Sequence, residues 1–206
     1  TVDGEKAYPL CKIPADPGCN EIQVYTLEGQ ESIGNIRYFK ERYLEETPVF
    51  DAKIPSDEVI DIIIPIYNGL QYFDKLFAGI EKTKMKYRLI LVDDQSPDPA
   101  VREYLERYVA EHEGTVLLRN EKNMGFLPSV NRALAIAEHH VALVNTDVEV
   151  PEGWLERLMW PIFTKEKVAS STPFTTCGTI CSFPNFCEDN VIFEGMPLWQ
   201  IDDAFR

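Results

Sequence analysis

The stretch Val59-Ile60-Asp61-Ile62-Ile63-Ile64-Pro65 is a nearly unbroken run of β-branched residues, closed by a proline and then by the turn pair Asn68-Gly69. Such a run signals a strand. It does not alternate apolar with polar, so both of its faces must be covered, as in parallel sheets. A helix follows at once, with Leu70, Phe73, Leu76, Phe77 and Ile80 on one face. A doubly buried strand that feeds an amphipathic helix commits the chain to a β-α-β path.

The pattern recurs. Tyr87 to Val92 (YRLILV) is a second buried strand, ending in Asp93-Asp94. Asp98 is placed to cap a helix and Pro99 to occupy its first position. Val101, Tyr104, Leu105, Tyr108 and Val109 line one side of that helix, and Gly114 closes it. Val116 to Leu118 is a short third strand. Ser129 to Ala137 is a third helix, with Val130, Ala133, Leu134 and Ala137 facing inward. Val141 to Val144 is a fourth strand, ending in Asn145-Thr146-Asp147. With right-handed crossovers, these elements give an α/β fold with a doubly wound, mostly parallel sheet. Pro151 to Lys165 reads as a further helix disturbed at Pro161, and Val168 to Phe174 as a fifth strand.

Residues 1–57 differ: they are rich in Pro, Gly and charge and weakly periodic. Ile22 to Leu27 suggests a short strand. Ile33 to Glu46 suggests a helix with Ile36, Phe39, Tyr43 and Leu44 on one face. The expected organisation is an N-terminal appendage or linker over 1–57 and a main domain over 58–206. Acidic residues outnumber basic ones 34 to 20, a net charge of −14. That excludes wrapping a nucleic-acid backbone or coating an anionic membrane. No apolar run reaches the roughly 18 residues of a spanning helix. The chain opens without an initiator Met and without an apolar segment behind a basic start, so the expectation is a chain processed or cut from something longer. Cysteines stand at 11, 19, 177, 181 and 187. The odd count and the absence of a paired C-x-x-C argue against a disulfide scaffold or a zinc site, and for reduced thiols in the cytoplasm.

In such sheets ligands bind outside the carboxyl ends of the strands. Polar residues collect there: Pro65-Ile66-Tyr67-Asn68, Asp93-Asp94-Gln95-Ser96 and Asn145-Thr146-Asp147. No G-x-G-x-x-G follows the first strand and no G-x-x-x-x-G-K-[ST] occurs, so neither a dinucleotide fingerprint nor a P-loop is present. Acids at strand ends suit a divalent cation bridging a carboxylate to a diphosphate.

Pro65-x-Tyr67-Asn68, Val92-Asp93-Asp94-x-Ser96-x-Asp98, Asn123-x-Gly125-Phe126 with Asn131, and Asn145-Thr146-Asp147 occur in the order and spacing of the family 2 glycosyltransferases of the GT-A fold. The chain resembles that family over about residues 59–175, and more weakly to 206. The resemblance implies a nucleotide-sugar donor, UDP- or dTDP-linked, and an inverting transfer to a carbohydrate acceptor. It implies that Pro65, Ile66 and Tyr67 cradle the nucleobase and ribose, with Asn68 beside them. Asp93 would accept the base N3–H, while Asp94 and Ser96 order the loop. Asn123, Gly125 and Phe126 would shape the ribose and sugar side, with Asn131 and Arg132 near the donor. Asn145-Thr146-Asp147 stands where the family carries its D-x-D motif, so Asp147 would hold Mn²⁺ or Mg²⁺ and Asn145 would meet ribose or metal. Asn145 replaces the first Asp of that motif and removes one negative charge.

The family's general base lies in an acidic motif well after D-x-D, in a glycine-rich acceptor context. Asp189 is the candidate within the chain, and the expectation is that the base lies beyond Arg206. Plainer readings stand beside several of these residues: Asp98 as a helix cap, Asn131 and Arg132 as a polar helix face, His139 and His140 as surface. The alternative function is a nucleotide-binding or interaction module of the same fold without turnover. A nucleotidyltransferase would need a glycine-rich basic loop after the first strand, which this sequence lacks.

Overall fold

A computed structural model of the protein describes residues 19–25, 32–39, 57–176, 178, 181–183, 185, 187–190 and 195–204. The chain divides into two compact units, residues 53–171 and residues 1–52 with 172–206.

In the second of these, β1 (Cys19–Tyr25) pairs antiparallel with β2 (Ser32–Phe39), running from Cys19↔Phe39 to Tyr25↔Ser32 with an irregularity at Val24/Tyr25. The helix expected over 33–46 is therefore corrected: residues 32–39 are a strand, and 40–46 lie outside the described residues. Gly34 and Asn35 are weak helix formers, whereas Ile33, Ile36, Tyr38 and Phe39 favour strands. Further along, Thr175 and Ser182 form an isolated parallel bridge. The Asn190 side-chain amide reaches the carbonyls of Thr176, Asn185 and Glu188 at 3.2, 3.0 and 3.0 Å.

The unit spanning 53–171 holds β3 (Val59–Ile66), α1 (Leu70–Ile80), β4 (Lys86–Asp93), α2 (Pro99–Glu111), β5 (Val116–Arg119), α3 (Phe126–Leu134), β6 (His140–Leu143) and α4 (Trp154–Thr164). The sheet is four-stranded in the order β5-β4-β3-β6, and each neighbouring pair is parallel. The expected α/β architecture is present. Ile60, Ile62, Ile64 and Ile66 of β3, with Leu89 and Leu91 of β4, pack against α1, α2 and α4. Ile63, Ile90 and Val92 face the other way and pack against Ala133 of α3. Helices thus cover both faces, which is why these strands read as continuous apolar runs. A seven-residue helix, α5 (Leu198–Ala204), belongs to the other unit.

Two expected elements differ. The third helix begins at Phe126 rather than Ser129, because Pro128 falls in its first turn, where a missing N–H costs no intrahelical bond. Gly125 precedes it at φ 86°, a conformation suited to glycine. The strand expected over 168–174 does not form. Its apolar run is short, it is interrupted by Ser170, Ser171 and Thr172, and Pro173 cannot donate to a ladder.

Asp61 sits in the middle of β3 and is fully buried. Arg88 lies directly opposite on β4 and holds both carboxylate oxygens, Nε to Oδ1 at 2.8 Å and Nη2 to Oδ2 at 2.9 Å. The backbone amides of Glu138 and His139 also donate to Oδ2, at 2.7 and 3.1 Å. One carboxylate therefore ties two strands to the segment entering β6.

Asp98 caps α2, its Oδ1 accepting the Ala100 amide at 2.9 Å ahead of Pro99. Asp98→Ala is expected to lower stability by about 1 kcal/mol, read as a shift in the urea midpoint with unchanged slope.

Candidate functional site

Strand order reverses at β3, with β4 and β5 on one side and β6 on the other. Ligand crevices of such sheets form outside the carboxyl ends of the strands at this switch point. Here the turn after β3 runs through Asn68 at φ 59° and Gly69 at φ 84°. A Cβ on Gly69 would stand 3.3 Å from Thr146 Oγ1, so the β3 and β6 ends meet closely at this glycine.

A cleft of about 190 Å³ opens beside the β3 end, lined by Pro65, Ile66, Tyr67, Asp94, Asn123, Gly125, Phe126 and Ser129. All but Ser129 were singled out in the sequence. Tyr67 and Phe126 are about half exposed, at 51% and 50%, which leaves ring surface free to pack on a ligand. A larger concavity of about 220 Å³ lies between α1 and α2, and none of its lining residues comes from a strand end.

Asp94 is buried at the cleft, and its two oxygens accept three hydrogen bonds. Its Oδ1 accepts Asn120 Nδ2 at 2.6 Å and the Met124 amide at 2.8 Å, and its Oδ2 accepts the Gly125 amide at 2.8 Å. Burial pushes its pKa upward, but the hydrogen bonds from Asn120, Met124, Gly125 and Ser129 outweigh it and hold the carboxyl below its ordinary value. Asp94 thus stays ionised and shapes the loop that carries Asn123. Asn123 Oδ1 shares the Gly125 amide at 3.0 Å.

Asp93 does not line the cleft. Its Oδ1 accepts the Ser96 amide at 2.9 Å, and its Oδ2 lies 3.8 Å from Arg119 Nε. Arg119 in turn donates to Glu106 of α2 at 2.8 Å. Neighbouring strand residues point to opposite faces, so the Asp93-Asp94 pair splits, and of the two only Asp94 lines the cleft. Ser96 Oγ accepts the Asn68 amide at 2.9 Å and ties the β4 end to the β3 turn. Asn68 Oδ1 is buried and accepts no hydrogen bond.

Asn145 and Asp147 are exposed past the end of β6, with Thr146 half-buried between them. Asn131 is exposed on α3, outside the cleft lining. Arg132, also exposed, turns back to the β5 end, donating to Asn120 Oδ1 at 2.7 Å and to the Arg119 carbonyl. His139 places a ring nitrogen 3.2 Å from Asp61 Oδ1, so it supports the sheet as well as facing solvent. Asp189 is an exposed residue of the other unit.

The family described as Glycosyl transferase family 2 matches residues 61–179, more than half of the chain and all of this sheet but the first two residues of β3. The chain belongs to that family. Among similar proteins, N-acetylgalactosaminyltransferase 7 of Drosophila melanogaster is 28% identical over 181 residues, which are 85% of this chain and 29% of that protein. Dolichol-phosphate mannosyltransferase of Pyrococcus furiosus is 24% identical over 131 residues, 61% of this chain and 36% of that protein. The S. aureus TarS 1–349 structure in complex with UDP-GlcNAc matches with a TM-score of 0.45 at 25% identity, over 50% of this chain and 30% of that chain. The chain therefore spans about a third of the length of these curated relatives.

Within this family 2 domain, sequence reasoning missed Asn120 and Ser129. Both are buried and both join the Asp94 network, with Asn120 Nδ2 to Ser129 Oγ at 2.9 Å. The signal for Asn120 was available: it follows the third strand directly, and polar residues at the other three strand ends were the ones that drew attention.

Proposed function

We propose that the protein transfers a sugar from a UDP- or dTDP-linked donor to an acceptor hydroxyl with inversion at the anomeric carbon. The observation that carries this reading is the cleft beside the β3 end, in a family 2 chain, with the rings of Tyr67 and Phe126 and the ionised Asp94 all in its lining. A planar pyrimidine packs on the rings, and the Asp94 carboxylate is an acceptor for its N3–H. The ribose and diphosphate then run toward Asn145-Thr146-Asp147. The acceptor oxygen attacks C1 of the sugar as a carboxylate takes its proton, and the nucleoside diphosphate leaves. General-base assistance of this kind is worth roughly 10²–10⁴-fold.

Among the described residues no three His, Cys, Asp or Glu side chains come together to hold a metal. The donor set fits a different mode, in which Mg²⁺ or Mn²⁺ takes one or two protein carboxylates and completes its shell with substrate phosphates and water. In this reading Asp147 is the carboxylate that would take that role, and a cation there would stabilise charge on the leaving diphosphate. Among the described residues no helix is long and apolar enough to cross a membrane.

Calorimetric titration of UDP and dTDP, with Mn²⁺ and then with EDTA, tests the reading. Metal-dependent binding of either nucleotide supports it, and no binding under either condition overturns it for this chain. In Asp147→Ala the affinity in Mn²⁺ is expected to fall about tenfold or more, to the value measured in EDTA, with the thermal midpoint unchanged. Retained Mn²⁺ dependence in that variant removes Asp147 as the metal ligand.

A further inference from the structure

Neither Asn120 nor Arg132 lines the cleft, yet both are wired to it. Asn120 is buried at the β5 end, and its main-chain N–H donates to the Asp93 carbonyl at 2.9 Å. Its side-chain Nδ2 donates to Asp94 Oδ1 at 2.6 Å, and its Oδ1 accepts Arg132 Nη1 at 2.7 Å. The carboxamide has one satisfactory orientation. A flip would set its oxygen against the Asp94 carboxylate and its NH₂ against the guanidinium, two repulsive contacts in place of two charge-assisted bonds. The donors therefore run one way, from Arg132 to Asn120 to Asp94. Asp94 in turn fixes the Met124 and Gly125 amides, which belong to the turn that opens α3 and bears Asn123 and Phe126.

We propose that Asn120 and Arg132 are positioning residues of the nucleotide cleft. They act through Asp94 to fix the cleft wall, without touching the nucleotide. A fully satisfied buried polar chain is rigid, and removing one member orphans its neighbour. The proposal rests on reading the cleft as a nucleotide site.

The test uses the full 206-residue chain, with UDP titrations and amide NMR of wild type, Arg132→Met, Arg132→Lys, Asn120→Ala and the Arg132→Met/Asn120→Ala double variant. Arg132→Met is expected to weaken UDP about tenfold, to move the Met124 and Gly125 amide resonances, and to lower the thermal midpoint by a few degrees. Arg132→Lys, which can still donate to Asn120 Oδ1, restores most of the affinity. The double variant loses no more than Asn120→Ala alone, as links of one chain should. Wild-type affinity in Arg132→Met overturns the proposal. So does weakened binding with both amides unmoved, which marks a direct contact, and so does additivity in the double variant. If wild type binds neither UDP nor dTDP, the nucleotide reading fails on its own, and the amide shifts in Arg132→Met still decide whether the relay positions the wall.

Discussion

Replacing Asp61 by alanine is expected to destabilise the protein by about 3–5 kcal/mol, among the largest single effects in the chain. Asp61 is fully buried, and its substitution leaves the Arg88 guanidinium, 23% exposed, without its bidentate partner. The Glu138 and His139 amides lose their acceptor as well. Burial alone would raise the Asp61 pKa. The hydrogen bonds from Arg88, Glu138 and His139 more than reverse that and hold it far below the ordinary carboxylate range. A carboxyl depressed in the folded state contributes stability that is full above its unfolded-state pKa, about 3.9, and is lost as pH falls through the folded-state value. The gap between wild type and Asp61→Ala should therefore be constant above about pH 5 and narrow below pH 4. Urea unfolding at pH 7 and pH 3 measures both. Asp61→Leu combined with Arg88→Met should cost less than Asp61→Ala alone, because no uncompensated charge stays behind. A loss below about 1 kcal/mol in Asp61→Ala would show that Arg88 finds water or Glu138 as an equal partner.

The sheet was legible because its information is local. Ile60 to Ile64 and Leu89 to Val92 are continuous apolar runs, and the faces of α1 and α2 repeat with helical period. Each run reports its own burial. The β1–β2 pair was not legible in the same way. Segment 32–39 reads equally as one side of a helix, and its partner strand decides the matter. The ends of β3 and β4 and the Asn123-Gly125-Phe126 loop marked the cleft, since polar residues at the carboxyl edge of a parallel sheet have few other reasons to cluster. Strand parity sets the two carboxylates of Asp93-Asp94 on opposite sides of the sheet. Ile90 and Val92 share a side with Asp94 and pack toward α3, while Leu89 and Leu91 share a side with Asp93 and pack toward α1 and α2. Asn120 escaped because β5 has only four residues and no fully buried side chain, so its end drew no notice.

That parity makes Asp94 the site of the second large effect. Asp94→Ala is expected to weaken UDP or dTDP binding by at least about 100-fold, roughly 2.8 kcal/mol, through the loss of the wall's anchor and of a carboxylate in the cleft. Asn120 Nδ2, the Met124 amide and the Gly125 amide all lose their bond to Asp94, although Asn120 keeps Ser129 Oγ and Gly125 keeps Asn123 Oδ1, and the cleft wall loses its anchor. Asp94→Asn keeps one acceptor oxygen and should fall between wild type and alanine. The loss should be larger for uridine and thymidine nucleotides than for adenosine ones, because only the former present an N3–H to a carboxylate. Asp93→Ala serves as the contrast. Asp93 bonds the Ser96 amide and lies near Arg119, away from the cleft lining, so its loss should appear mainly in stability and only weakly in nucleotide affinity. Because the Asp94 carboxyl is held below its ordinary value, its charge is present throughout the neutral range, and the affinity gap between wild type and Asp94→Ala should not change from about pH 5 to pH 8. Parallel titrations of the three variants with UDP, dTDP and ADP decide the assignment. If Asp93→Ala loses base discrimination and Asp94→Ala does not, the nucleobase sits on the α2 side of the sheet, and the cleft between β3 and α3 is not its seat.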